Sequence, residues 1–158
     1  MYRKWIVTSA LLATAGLAAA PVGGAAQGDK ATKLSCALEL NAQGAPNPSG
    51  IHFGRATCPK PFGRGLHYNS YTVSPTGPGQ GTVVARFKNY YDLGTARGRA
   101  AMTFVATSPT NITYKGTVTY TGGTGRFRHV KGNGTIECTT TDGGAHKSCT
   151  VKSTLTGL

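Results

Sequence analysis

The short basic stretch "RFRHVK", residues 126–131, contains side chains that are well suited to chemistry. If it forms a strand with Phe127 inside, simple alternation directs His129 and Lys131 inward as well. An imidazole titrates near neutral pH, so beside a lysine in a cavity it could act as an acid/base group or help to bind an anion. The alternative is a bulge near Val130, which would swap the parity, bury the valine and leave His129 in solvent.

Five tyrosines form a second candidate group, because their rings and hydroxyl tips suit the wall of a ligand cavity. They are Tyr68, Tyr71, Tyr91, Tyr114 and Tyr120. The alternative is ordinary packing, since inward tyrosines on strands commonly fill a core and reach its rim with the hydroxyl.

The remaining polar residues argue against several familiar chemistries. No two acidic residues are placed to flank a glycosidic bond, and no G-x-S-x-G nucleophile elbow occurs. Gly123 and Gly125 begin like a dinucleotide fingerprint, but Arg128 stands where the third glycine belongs. The tightest Cys/His cluster, within residues 138–149, lacks zinc spacing and a fourth ligand. We therefore expect no cofactor and no metal, and the sequence leaves open whether the protein is an enzyme.

The elements that must position these residues are short strands. From Gly81 onward, Thr-, Val- and Tyr-rich runs are separated by glycine-rich turns, and "KLSCALEL", residues 33–40, alternates in the same way. Residues 41–65 are rich in Gly, Pro and Asn and predict irregular structure around one short strand near His52–Cys58. The pattern as a whole predicts an antiparallel sandwich or barrel. The inner faces are predicted to carry Val83, Ala85, Phe87, Tyr91, Met102, Phe104, Ala106, Tyr114, Val118, Tyr120, Ile136, Cys138, Cys149, Val151 and Leu155.

Four cysteines, an even number, predict two disulfides in an oxidising compartment. Cys138 and Cys149 fall opposite each other if the hairpin between them reverses about residues 143–144. Cys36 is then expected to pair with Cys58.

The glycines around the basic stretch are predicted to reverse the chain between two paired strands, with Gly122, Gly123 and Gly125 at positive φ. The whole stretch, "GGTGRFRHVKGNGT", resembles the Gly-Gly-Thr-Gly-x-Phe-x-x-Ala-x-Gly signature of allene oxide cyclases and plant dirigent proteins, and of secreted actinobacterial proteins with the same barrel. Val130 stands where these families usually have alanine. The resemblance implies a single antiparallel, eight-stranded, calycin-like barrel with a central cavity. It also implies a cofactor-free cyclase or isomerase as one function to consider.

Residues 1–26 have the features of a secretory signal peptide. Arg3 and Lys4 precede an apolar run from Trp5 to Ala20, and small residues suited to cleavage follow it. The run is shorter than a transmembrane helix requires, so we expect no membrane span. The sequence thus predicts a secreted, extracellular protein whose single β-barrel domain occupies residues 27–158.

The formal net charge of +12 favours anionic surroundings. Arg86, Lys88, Lys115 and Lys152 are predicted on outer faces, which spreads this charge over the barrel wall. The leading expectation is a non-catalytic barrel that binds a small, partly apolar ligand or an anionic cell-surface polymer. A cofactor-free cyclase or isomerase and a basic cell-envelope protein are the alternatives. Nucleic acid is a less favoured partner because of the export signal, and the oligomeric state is left undetermined.

Overall fold

The computed structural model describes residues 30–43 and 49–158. Within them, eight antiparallel strands form a closed barrel in which each strand pairs with its neighbours along the chain, and the last pairs with the first. The strands are β1 (Thr32–Gln43), β2 (Ser49–Thr57), β3 (Arg64–Gly77), β4 (Gln80–Tyr91), β5 (Gly94–Ala106), β6 (Ile112–Gly123), β7 (Lys131–Thr140) and β8 (His146–Thr156). A single turn of 3₁₀ helix, Gly125–Phe127, lies between β6 and β7. The predicted all-β, eight-stranded antiparallel barrel is confirmed, whereas the signal peptide lies outside the described residues.

Strict alternation of inward and outward side chains explains why these strands close into a barrel. In β4 every second residue from Gly81 to Tyr91 is buried and the residues between them are exposed. β1 and β8 pair in register from Thr32 with Leu155 to Asn41 with His146, so neither end strand is left with a free edge. The inner faces predicted from alternation are the ones that the structure shows, although Met102, Phe104 and Ala106 near the end of β5 are only half-buried.

Both predicted disulfides are present. Cys138 and Cys149 are direct register partners on β7 and β8, and their sulfurs are bonded. The second disulfide joins Cys36 on β1 to Cys58, which directly follows β2. Each bridge therefore ties together two segments that are already neighbours in the barrel wall.

The barrel has two ends of different character. At one end, which we call the plugged end, the rings of Phe62, Tyr91 and Phe127 pack together, with Phe62 and Phe127 stacked at 4.3 Å between ring centroids. Val130 and Leu155, both fully buried, complete this plug. The other end carries the β3–β4, β5–β6 and β7–β8 turns and contains the polar side chains described below, so we call it the cavity end.

The glycines of the basic stretch build the plugged end. Gly122 and Gly125 have positive φ, 129° and 57°, as predicted. Gly123 does not have a positive φ, so the prediction was wrong for this residue. Glycine is needed there because a Cβ atom would lie 1.7 Å from the carbonyl oxygen of Thr95. The tight approach of this segment to β5 brings the 3₁₀ turn over the end of the barrel.

Candidate functional site

A narrow cavity of about 50 Å³ lies inside the barrel and adjoins a recess of about 260 Å³ at the cavity end. Four side chains line both spaces and therefore lie where the cavity meets the recess: Tyr71, Val83, Tyr114 and Lys147. The interior alone accommodates only a few atoms, whereas the recess accommodates the body of a small molecule.

The cavity wall formed by β2, β3 and β4 carries a continuous chain of polar side chains. Nζ of Lys147 lies 2.6 Å from Nε2 of His52, and Nδ1 of His52 lies 3.1 Å from Oδ1 of Asn69. Nδ2 of Asn69 lies 2.9 Å from Nε2 of His67, whose Nδ1 lies 2.7 Å from Oδ1 of Asn89. This series of hydrogen bonds therefore runs from the cavity end toward the plugged end. It joins five side chains that belong to four strands, β8, β2, β3 and β4.

All hydrogen bonds in this chain run in one direction. An ammonium group can only donate, so Nε2 of His52 accepts and its Nδ1–H donates to the oxygen of Asn69. The amide N–H of Asn69 then donates to Nε2 of His67, which leaves Nδ1–H of His67 to donate to Asn89. Both histidines are thus neutral and carry their proton on Nδ1.

Burial supports the neutral state of both rings. It lowers the pKa of His52 to about 4, with the charge of Lys147 adding to the effect, and it lowers the pKa of His67 to about 4 as well. At neutral pH the wall therefore offers hydrogen-bonding groups without charge.

Lys147 is the charged member of the site. Its Nζ lies 4.9 Å from the ring centroid of Tyr114 and 5.3 Å from that of Tyr71, so two aromatic faces flank the ammonium group. Desolvation lowers the pKa of Lys147 to about 8, although the charge of Asp142 opposes this shift. Within the described residues the ion pairs are Lys115 with Glu137 and His146 with Asp142, so no carboxylate lies within 4.0 Å of Lys147.

Tyr91, Tyr114 and Tyr120, which the sequence put forward as ligand-binding residues, line the cavity. Burial raises the pKa of Tyr114 and of Tyr120 to about 12 and raises that of Tyr91 further, so all three are neutral phenols at physiological pH. Tyr71 also lies inside, whereas Tyr68 points outward and is 42% exposed.

The expectation that His129 and Lys131 line the cavity was wrong. Both side chains are exposed on the outside of the plugged end, and Val130 between them is fully buried. The reason is the 3₁₀ turn: its period of three residues directs Phe127 and Val130 inward, where a strand would have directed Phe127 and His129. This is the alternative in which the valine is buried and the imidazole is left in solvent.

Sequence reasoning missed the polar chain itself. The parity that places Cys149 and Val151 inside also places Lys147 inside, and this signal was available. His67 and Asn69 were harder to find, because in "LHYNSY" the more hydrophobic residues Leu66 and Tyr68 face solvent. Hydrophobicity therefore suggests the wrong face of β3.

No protein-family model matches the chain, and no curated protein matches its sequence. The resemblance to allene oxide cyclases and dirigent proteins therefore stays a prediction. Within the described residues no helix is long and apolar enough to cross a membrane.

Proposed function

We propose that this barrel is a non-catalytic binding protein for a small, partly apolar ligand with an anionic head group. The proposal rests on Lys147, a cation that lines the cavity with no carboxylate within 4.0 Å among the described residues. Moving a charge out of water is costly unless a counter-charge compensates for it. A ligand carboxylate or phenolate that contacts Nζ would supply this counter-charge.

The surroundings of Lys147 fit the rest of such a ligand. The recess places Val73, Phe104 and Ile112 beside Lys147, and these side chains suit a short aliphatic or aromatic body. On the other side of Lys147, Nε2 of His52 accepts a hydrogen bond from the ammonium group. The ammonium group is thereby held in place while its remaining protons are free to contact the ligand.

Matched probes and matched variants test this proposal. Hexanoate should bind the wild-type protein more tightly than hexanamide, which has the same body without the charge, as measured by isothermal titration calorimetry. Lys147→Met should weaken hexanoate binding about tenfold or more and leave hexanamide binding nearly unchanged. Lys152→Met, which removes an exposed lysine from the same strand, is the control and should have less than about a twofold effect. Equal losses in the two variants, or equal affinity for acid and amide, would contradict the proposal.

A second candidate function is the cofactor-free isomerase that the family resemblance implies. The observation that favours it is the cluster of an amine whose pKa is about 8 with two neutral phenols, those of Tyr71 and Tyr114. Such an amine could remove a proton beside a carbonyl group while a phenol donates to the developing enolate oxygen. Proton exchange of a simple ketone such as cyclohexanone in D₂O, followed by NMR, tests this: catalysis should be lost in Lys147→Met and retained in Lys152→Met.

A further inference from the structure

The outer wall of the barrel contains a compact group of four cations, which we call the cation square. It comprises Arg86 and Lys88 on β4 and Arg97 and Arg99 on β5, all of them exposed. Arg86 is the register partner of Arg99, and Lys88 is the register partner of Arg97. Two like-charged pairs thus stand side by side. Their Cβ atoms are about 5 Å apart across the strands, and the Cα atoms of alternate residues are about 7 Å apart along each strand.

This arrangement is unfavourable for the isolated barrel. Like charges directly opposite each other on neighbouring strands destabilise a sheet, and in the described part of the chain none of the four has a carboxylate within 4.0 Å. Arg86 and Lys88 taken without the two arginines that oppose them predict a charge that is spread over the wall. The barrel register concentrates the charge that the linear sequence disperses.

Exposed aromatic rings border the cation square. Tyr68 on β3 is the register partner of Lys88, and Nζ of Lys88 lies 4.8 Å from the ring centroid of Tyr90. Tyr68 and Tyr90 are 42% and 43% exposed, so each keeps a substantial part of its surface accessible to a partner. Flat rings beside cations suit a partner that has planar or sugar-like units as well as negative charges.

We infer that the cation square binds a linear, phosphate-bearing polyanion, in which anionic groups spaced along one chain contact the cations that follow one another along the strands. The inference is independent of the cavity, since these side chains point away from it. The roughly 7 Å repeat along β4 and β5 is about twice the 3.4 Å interval of charges along one strand of B-DNA, so every second phosphate of such a chain would face a cation. The outer wall of a barrel is convex, and a linear polymer can follow such a wall more closely than a flat lipid surface can.

Inorganic polyphosphate of long chain length is the probe for this inference, with orthophosphate and vesicles containing anionic phospholipid as comparisons. Polyphosphate should bind at low salt and dissociate steeply as ionic strength rises. The double variant Arg97→Gln/Arg99→Gln should weaken binding at least about tenfold and reduce the dependence on salt. The control, Lys131→Gln/Lys152→Gln, removes the same charge from exposed positions on β7 and β8 and should have less than about a twofold effect.

Four outcomes decide the matter. Selective loss in the Arg97/Arg99 variant supports the inference. Equal losses in the two double variants would show that only net charge matters and would overturn it. Polyphosphate binding no tighter than orthophosphate binding would overturn the linear partner, as would binding to vesicles that polyphosphate cannot displace. Thermal unfolding checks the variants: removing the two arginines should leave Tm unchanged or raise it, because it relieves like-charge repulsion.

Discussion

The plugged end and the cavity end of the barrel are built from strands of the same kind, yet they differ in what their side chains can do. At the plugged end three aromatic rings, Val130 and Leu155 fill the interior, and the basic and imidazole side chains of residues 126–131 lie outside. At the cavity end Lys147 and His52 stay inside and space remains beside them. A segment rich in basic and imidazole groups can therefore leave those groups outside the barrel, while a single lysine with the right parity reaches the interior.

Replacing a glycine at the plugged end is expected to have the largest effect on stability. Gly125 has φ of +57°, and a Cβ atom there would lie 2.4 Å from the carbonyl oxygen of Leu93. Gly125→Val should therefore lower the free energy of unfolding by more than about 4 kcal/mol, or prevent folding, because a β-branched residue resists this conformation and no space exists for it.

Gly63 provides the matched control for that substitution. Its φ of +73° is similar, but a Cβ atom would meet nothing within 4 Å. Gly63→Val should cost only the backbone strain, about 1–2 kcal/mol, in urea unfolding. If the two variants lose the same stability, the close approach to Leu93 is not what makes Gly125 necessary.

The buried histidines should make the protein sensitive to acid. Between pH 6.5 and 4 the unfolded chain binds protons at His52 and His67 that the folded barrel excludes, since both folded pKa values are about 4. The free energy of unfolding should therefore fall as the pH falls through this window, by on the order of 3 kcal/mol for a fully buried histidine. Urea unfolding at a series of pH values measures the slope.

Two variants assign that slope to the cavity wall. His67→Phe removes one buried titrating ring and should make the slope shallower, even if it lowers stability at pH 7. His129→Ala removes an exposed ring at the plugged end and should leave the slope unchanged. An unchanged slope in His67→Phe would show that the acid sensitivity has another origin.

The smallest effect is expected in ligand binding. Lys147 loses its charge as the pH rises through about 8, and carboxylate probes stay ionised throughout this range. Hexanoate should therefore bind about tenfold more weakly at pH 9 than at pH 7, as measured by calorimetry. His129→Ala should retain this profile, and an affinity that does not change between these pH values would exclude Lys147 as the counter-charge.

The sequence predicted the architecture well because the information is local. Alternation along β1 and along β4 to β8 is enough to predict their inner faces, although not that of β3, and the hairpin spacing of Cys138 and Cys149 is enough to predict their pairing. The 3₁₀ turn was missed because one turn of helix breaks alternation without any apolar period long enough to detect. The hydrogen-bond chain was missed because it depends on register: His52 is the partner of Asn69, and His67 that of Asn89, across strands whose alignment no local pattern reveals.

The closure of the barrel by β1 and β8 also determines from which end a fusion partner or a surface linker projects. β1 begins at Thr32, the register partner of Leu155 near the end of β8, so the chain enters and leaves the barrel side by side at the plugged end. A fluorescent fusion or a surface linker placed after Leu158 would therefore project from the end opposite Lys147. A protein immobilised in this way would present its cavity end to the solution, which is the orientation needed to measure anion binding at Lys147 on a surface.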